Sequence, residues 1–402
     1  MVKIAINGFG RIGRCALKIL LDRRDVEVVA INDHKPLAAS AYLLSYDTAY
    51  GIYGRKVSYD EKTKTLSVNT RKIPVFQESD PAKLSWGKLD VDVVLECTGQ
   101  YTDPDKAKIH LKSGARKVVI SAPAKKTSVK TVVLGVNEDV VVADDQIISA
   151  ASCTTSCIAP VMKILEDNLG IEKAMMTTVH SYTASQRLQD GSAKDFREGR
   201  AGAENIIPTS TGASKATALT IPALKNRFAG LSVRVPTLTV SLADITAVVK
   251  TDTTIEDINK IFKRAAKEPY YEGIVGVTEE PLVSSDFKGD ARSAIVDLSF
   301  TDVVGDNLIK VLAWYDNEWG YANRLVELAV DFGKVSSWKF FSVPTTVASP
   351  KNKPSSLTWQ TAQKILKSLT KAPNSMTPKT ISTIAPSPWP ERFCRILVVS
   401  VS

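Results

Sequence analysis

Cys153 lies in the run SCTTSC (Ser152 to Cys157), between an apolar stretch and a helical one, and His180 follows 27 residues later in a second polar run, TTVHSYT. That separation leaves it to the fold to bring thiol and imidazole together. The chemistry of such a pair is nucleophilic. A thiol at a helix start feels the helix dipole, and a nearby imidazolium lowers its pKa further, which makes thiolate available at neutral pH. A thiolate attacks carbonyl carbon while the imidazole moves protons. The plain alternative is a small buried apolar cysteine, and it is the other end of the chain that favours chemistry.

Residues Val2 to Ile6 (VKIAI) form a short β-rich run, followed at once by NGFGRIG and by apolar residues at helical spacing, Ile12, Ala16, Ile19 and Leu20. This is strand, glycine turn, helix. Gly8 permits the tight bend, Gly10 lets backbone approach a pyrophosphate, and Gly13 lets helix pack on strand. Free N–H groups at the helix start then bind phosphate. The second strand, Val26 to Ile31, ends in Asn32 and Asp33, an acid placed where a ribose 2′-hydroxyl would be held. Asn7, Gly8, Gly10, Arg11, Ile12, Gly13 and Asp33 are therefore candidate dinucleotide contacts.

Strands and helices alternate up to about residue 150, with Val91 to Glu96, Lys117 to Ser121 and Val132 to Val136 as candidate strands. Alternation of this kind predicts a parallel sheet with ligands at the carboxyl ends of its strands. Thr98, Gly99, Ser121 and Ala122 end two of those strands and are expected to line the cleft. The helical stretch Cys157 to Leu169 carries apolar residues every three or four positions, and Pro160 predicts a bend in it. MMTTV, LSVRVPTLTVSLADITAVVK and the run from Ala294 to Trp314 read as longer strands of a mostly antiparallel second sheet. The fold class expected is α/β, an N-terminal Rossmann-type parallel-sheet domain followed by a catalytic domain.

At 402 residues the chain exceeds the size at which one core usually splits. The expected division is a dinucleotide-binding domain over 1–151, completed by a returning C-terminal helix at 318–338, a catalytic domain over 152–317, and a tail from 339 to 402. No run of about 18 apolar residues and no charged-then-apolar leader are present, so a cytoplasmic location without membrane attachment is expected. The five cysteines (Cys15, Cys97, Cys153, Cys157 and Cys394) follow no disulfide framework, and no Cys/His cluster has zinc-ligand spacing. No metal is expected.

The words INGFGRIGR, AINDH, LECTG, ISAPAK, SCTTSC, TTVHSYT, NIIPTSTGA, RVPT and WYDNEWGYANR occur in this order between residue 1 and about 338. The chain resembles the phosphorylating glyceraldehyde-3-phosphate dehydrogenases. A sugar-phosphate relative, erythrose-4-phosphate dehydrogenase, shares most of these words, so reaction type is better fixed than substrate. The resemblance implies oxidation of glyceraldehyde 3-phosphate to 1,3-bisphosphoglycerate through a hemithioacetal and a thioester on Cys153, with His180 as acid and base. It also implies a homotetramer. It places inorganic phosphate against Ser152, Thr154, Thr211 and Gly212, and the substrate's own phosphate against Thr183 and Arg234. Arg200 is a further phosphate candidate, although Glu198 stands where many bacterial members carry a second arginine. Asn317 and Tyr321 are implied to orient the nicotinamide carboxamide and to pack its ring.

Three departures stand out. Ser156 replaces the asparagine of the family's CTTNC, and Ala150 replaces another just before it. The third bears on the cofactor. Asp33 repels a 2′-phosphate, whereas Lys35 and Ser192 tolerate one, so NAD is expected to be preferred with NADP use left open.

The net charge of +9 does not belong to the enzyme body. Residues 339–402 hold seven Lys and two Arg against one Glu, which leaves +1 for everything before them. Eight prolines and eighteen Ser or Thr in that tail favour disorder, while Leu357 to Lys371 has the pattern of a basic surface-binding helix. Two readings stay open: a translated segment without a selected role, or a module for an anionic partner, nucleic acid or membrane. A binding protein acting through the tail is accordingly the alternative to the dehydrogenase.

Overall fold

The computed structural model describes residues 1–334; the tail, with its Leu357–Lys371 pattern and Cys394, lies outside the described residues. Among those residues a nine-stranded sheet runs in the order Lys130–Thr131, Ile147–Ser149, Lys117–Ile120, Val93–Glu96, Val2–Asn7, Val26–Asn32, Arg71–Phe76, Thr65–Val68 and Val57–Asp60. The first seven pair parallel and the last two close as an antiparallel meander. Register sets Asn7 opposite Asn32 on one side and Glu96 on the other, with Glu96 opposite Ile120. One row across the sheet therefore carries the residues that end four strands, where parallel sheets hold ligands.

The helix Arg11–Asp22 packs on this sheet through Ala16, Leu17, Leu20 and Leu21. The last described helix, Trp319–Lys334, returns to the same core with Leu325, Ala329 and Phe332 against Val2, Ile4 and Val93. Lys117 anchors its end by donating to the Phe332 carbonyl at 2.9 Å.

A second sheet of seven strands runs Ile207–Ser210, Phe228–Val235, Ile171–Ser181, Ser241–Val249, Leu308–Tyr315, Ala294–Val304 and Val275–Thr278. It is mostly antiparallel, with parallel pairs only between Ile171–Ser181 and Phe228–Val235 and between Val275–Thr278 and Ala294–Val304. The helix Cys153–Leu169 covers it through Ile158, Val161, Met162 and Leu165.

Two expectations need correction. Val132 to Val136 is not a strand. The short strand is Lys130–Thr131, after which Gly135 at φ +79° and a bond from Val136 N to the Val133 carbonyl make a turn. The Asn137 side chain holds that turn by accepting from Val133 N at 2.9 Å, so the apolar residues are buried without extending the ladder. The helix expected from Cys157 begins instead at Cys153, capped by Ser152, whose hydroxyl accepts from Thr155 N at 3.1 Å. It runs on through Pro160 to Leu169.

Candidate active site

Ile147–Ser149 leads into the helix Cys153–Leu169 by way of Ala151, whose φ of +55° lies in the left-handed region. A non-glycine residue there stores strain, and two bonds hold it: Ala151 N donates to Ser149 Oγ at 3.1 Å, and Tyr321 Oη donates to the Ala151 carbonyl at 3.3 Å. This turn puts Cys153 in the first turn of the helix, half-buried, at the wall of a cavity of about 650 Å³. His180 comes from the strand Ile171–Ser181, and parallel pairing sets it directly beside Arg234. Cys153 Sγ stands 3.5 Å from His180 Nε2.

The electrostatics correct one expectation. Burial first, and then the neighbouring Arg234 guanidinium, push His180 down to about 4. The ring is therefore an uncharged imidazole at neutral pH, not the imidazolium expected to assist the thiol. Burial also raises Cys153, opposed by its contact with Thr154 and by the charge of Arg234. The cation that favours thiolate is thus Arg234. Its Nη1 lies 2.6 Å from His180 Nδ1, and the Ser181 carbonyl lies 2.7 Å from the same nitrogen. Nδ1 cannot accept from the guanidinium and donate to the carbonyl at once. With the carbonyl as its partner, Nδ1 donates and Nε2 presents its lone pair to sulfur; with the guanidinium as its partner, Nδ1 accepts and Nε2 carries the hydrogen.

Tyr315, which lies in WYDNEWGYANR without a role assigned to it there, supports this pair from behind. Its buried hydroxyl sits 3.0 Å from Thr154 Oγ1 and 2.8 Å from Thr178 Oγ1, and its ring stands edge-on to the His180 ring. Asn317 is held by two hydroxyls, with Ser181 Oγ and Ser241 Oγ each donating to its Oδ1 at 3.1 Å. Ser241 Oγ itself accepts from Ser181 N, and with Oδ1 facing both hydroxyls the Asn317 NH₂ is the end turned away from them.

The residues at the glycine turn fit a dinucleotide. A Cβ on Gly8, at φ +96°, would stand 2.7 Å from the Cys97 carbonyl carbon and Thr98 N, and one on Gly13 would stand 2.1 Å from the Gly8 oxygen. Gly10 faces open space at the start of Arg11–Asp22, a helix without a side-chain cap. Its first N–H groups therefore have no partner within the helix. Asp33 is buried and already engaged, Oδ2 accepting from Phe9 N at 2.7 Å and Oδ1 from Lys35 N at 2.9 Å. The Arg11 guanidinium, on a side chain 35% exposed, is held by Glu318 (2.8 Å) and Asp47 (2.7 Å).

The 650 Å³ cavity brings together Cys153, His180, Ser152, Thr183 and Arg234 with Ser121, Asn317 and Tyr321, and Arg11 and Ile12 reach it from the glycine turn. A second cavity of about 330 Å³ on the other side of that turn gathers Asn7, Gly8, Gly10, Asp33 and Thr98. Four expected phosphate contacts lie outside the first cavity. Thr154 is buried against Tyr315. Arg200 is exposed and paired with Asp190 at 2.7 Å. Thr211 Oγ1 accepts from Ala213 N at 3.2 Å, and Gly212 is the N-cap of Ala213–Thr220. Gly99, at φ +72°, and Gly13 line neither cavity.

Comparison of the sequence with known proteins points to one family. Residues 2–104 match the family model described as Glyceraldehyde 3-phosphate dehydrogenase, NAD binding domain, and residues 152–317 match its C-terminal domain. The chain is 48% identical over 335 residues to a glyceraldehyde-3-phosphate dehydrogenase of Zymomonas mobilis, covering 83% of this chain and 99% of that one. Against glyceraldehyde-3-phosphate dehydrogenase 1 of Bacillus subtilis it is 49% identical over 334 residues, covering 83% and 98%. Against glyceraldehyde-3-phosphate dehydrogenase 2 of Saccharomyces cerevisiae it is 45% identical over 338 residues, covering 83% and 100%. The chain belongs to the glyceraldehyde-3-phosphate dehydrogenase family.

Proposed function

We propose that this enzyme oxidises glyceraldehyde 3-phosphate with NAD and inorganic phosphate, through acyl transfer on Cys153. The observation that carries the assignment is the 3.5 Å approach of Cys153 Sγ to His180 Nε2 in the cavity that the glycine turn enters. Sγ attacks the aldehyde carbon and its proton passes by way of Nε2 to the carbonyl oxygen, giving a hemithioacetal. The helix start at Cys153 offers backbone N–H groups to that oxygen. His180 then takes the hydroxyl proton back as the carbon becomes a thioester carbonyl. Bound nicotinamide supplies the acceptor for the hydride. Inorganic phosphate attacks the thioester, releasing the acyl phosphate and restoring the sulfur.

The free NH₂ of Asn317 meets a carboxamide oxygen, and Tyr321 forms the wall beside it. Thr183 and Arg234 receive the substrate phosphate, which takes the guanidinium off His180 and restores its basicity. Ser152, with Thr154, Thr211, Gly212 and Arg200, belongs to the proposed set for inorganic phosphate. Within the set Ser152 alone lines the cavity. Asp33, held rigid by two backbone donors, disfavours a 2′-phosphate, so NAD outperforms NADP in kcat/KM.

The segment 1–151, with the returning helix, serves as the cofactor half and 152–317 as the catalytic half. A homotetramer is supported by exposed apolar side chains in the loop after Ser181, Leu188 at 84% and Phe196 at 89% exposure. Among the described residues no helix is long and apolar enough to cross a membrane; a cytoplasmic location is proposed.

The test is NADH formation from glyceraldehyde 3-phosphate, which must depend on inorganic phosphate and exceed the rate with erythrose 4-phosphate. In Cys153→Ser it falls by about 10⁴-fold or more, the scale lost with a nucleophile. Phosphate-independent turnover, or activity retained without the thiol, contradicts the proposal.

A further inference from the structure

Beneath the smaller cavity lies a buried polar cluster that the chemistry above does not use. Glu96, which ends the strand Val93–Glu96, is 1% exposed and His110 is fully buried. Four donors converge on the Glu96 carboxylate. Asn7 Nδ2 reaches Oε2 at 2.6 Å, His110 Nε2 reaches Oε2 at 2.9 Å, Thr98 N reaches Oε1 at 2.8 Å, and the Thr98 hydroxyl donates to Oε1 as well. A carboxylate has about four lone-pair sites, so this one is filled.

The direction of every bond is forced. The Trp86 indole can only donate, and Nε1 meets His110 Nδ1 at 3.2 Å, so the ring accepts there and donates through Nε2 to Glu96. On the other side Glu78 N donates to Asn32 Oδ1 at 3.0 Å, Asn32 Nδ2 donates to Asn7 Oδ1 at 2.7 Å, and Asn7 Nδ2 then ends on Glu96. Asn7, Asn32, Glu78 and Thr98 all line the smaller cavity. The Cys97–Thr98 backbone lies so close to Gly8 that no Cβ fits between them.

A dinucleotide with its reactive ring at Cys153 and its pyrophosphate at the glycine turn meets this cavity with its adenosine half, because Gly8 and Gly10 line it. We infer that Glu96, oriented through His110, is a positioning residue for adenosine recognition: its carboxylate sets the hydrogen-bond polarity of Asn7 and Asn32 and clamps the Thr98 turn onto Gly8. The inference rests on the dehydrogenase reading above. It locates part of the cofactor affinity in a buried anion that touches no ligand.

Glu96→Gln tests it, because a glutamine brings N–H groups to a place where every neighbour donates. ADP-ribose, titrated against the full-length protein, should bind about tenfold more weakly, the scale of one lost charge-assisted bond. The KM for NAD should rise by the same factor, with kcat at saturating NAD and the KM for the aldehyde unchanged. His110→Gln, which keeps an acceptor for Trp86 and a donor for Glu96, should stay close to wild type, whereas His110→Leu should resemble Glu96→Gln. Unchanged ADP-ribose affinity in Glu96→Gln, or a fall in kcat with the NAD KM unmoved, overturns the inference. If Glu96→Gln does not fold, Thr98→Val removes one donor from the same carboxylate at a half-exposed position. Its ADP-ribose affinity must then fall and return in Thr98→Ser, and equal affinity in all three proteins overturns the inference. Failure of the wild-type protein itself to bind ADP-ribose or NAD would instead count against the dehydrogenase reading.

Discussion

The two cavities on either side of the glycine turn are finished to different degrees. At the smaller one the buried carboxylate of Asp33 has a backbone donor on each oxygen, and that of Glu96, just beneath, has donors on both. In the larger one Arg234 Nε and Gln186 Nε2 are buried with no hydrogen-bond partner, and Arg234 rests on an imidazole nitrogen that also faces a carbonyl. A buried donor left unpaired costs about 1–3 kcal/mol. On the proposed function the difference separates two tasks: one cavity preformed for the adenosine end of the cofactor, the other with donors left for an anionic substrate.

Substitutions in the larger cavity should therefore cost chemistry. The largest effect there after loss of the thiol is expected in His180→Asn, a drop in kcat of about 10²–10⁴-fold, the range for a lost general acid and base. Steady-state rates measure it. A loss below tenfold would move the proton transfer to another group. Arg234→Leu comes next. Removal of the charged partner of the substrate phosphate should lower kcat/KM by about 10–100-fold, chiefly through KM. It should also raise the pKa of His180, visible by NMR titration of the ring, because the guanidinium no longer opposes its charge.

The pH dependence of stability follows from the same ring. Its folded pKa, about 4, lies below the ordinary 6.5. Between those values the unfolded chain binds a proton that the folded chain refuses, so this contribution is complete above pH 6.5 and is lost as pH falls toward 4. Urea unfolding of wild type and His180→Gln across that window should diverge by about 1–3 kcal/mol. Parallel curves would show that the ring is not held uncharged. The smallest expected effect is Tyr315→Phe, about 1 kcal/mol of stability for the hydroxyl shared by Thr154 and Thr178, with a several-fold loss of kcat as the first helical turn loosens. Unchanged kinetics would make Tyr315 a packing residue only.

The sequence disclosed the cradle more fully than the reaction pocket, for a physical reason. Gly8, Gly10 and Gly13 shape the backbone locally and Asp33 directly follows a strand end, and such local features are written in consecutive residues. The strand ends were nearly as readable, Glu96 as expected and Ile120 one residue before the expected Ser121, because a parallel sheet puts its ligand row where strands stop. Cys153 and His180 were recognisable as residue types, but their charge states were not. His180 is uncharged because parallel pairing sets Arg234 beside it, and no spacing along the chain reveals a cross-strand neighbour. Tyr315 lies within WYDNEWGYANR and Ala151 directly before SCTTSC, yet the role of neither was readable, for the same kind of reason. One acts from the end of a distant strand, and the other adopts a left-handed turn that its side chain gives no reason to expect. Glu96 lies within LECTG, yet the partners that define its cluster, Asn7, Trp86 and His110, come from separate elements.

Central to this account is acyl transfer on one sulfur. Mixing the enzyme with NAD and glyceraldehyde 3-phosphate, without inorganic phosphate, and then digesting it for mass spectrometry tests that claim directly. The account predicts one equivalent of NADH per active site and an acyl adduct confined to Cys153, discharged when phosphate is added. NADH formed without the adduct, or an adduct on Cys157 or Cys97 in its place, would contradict it.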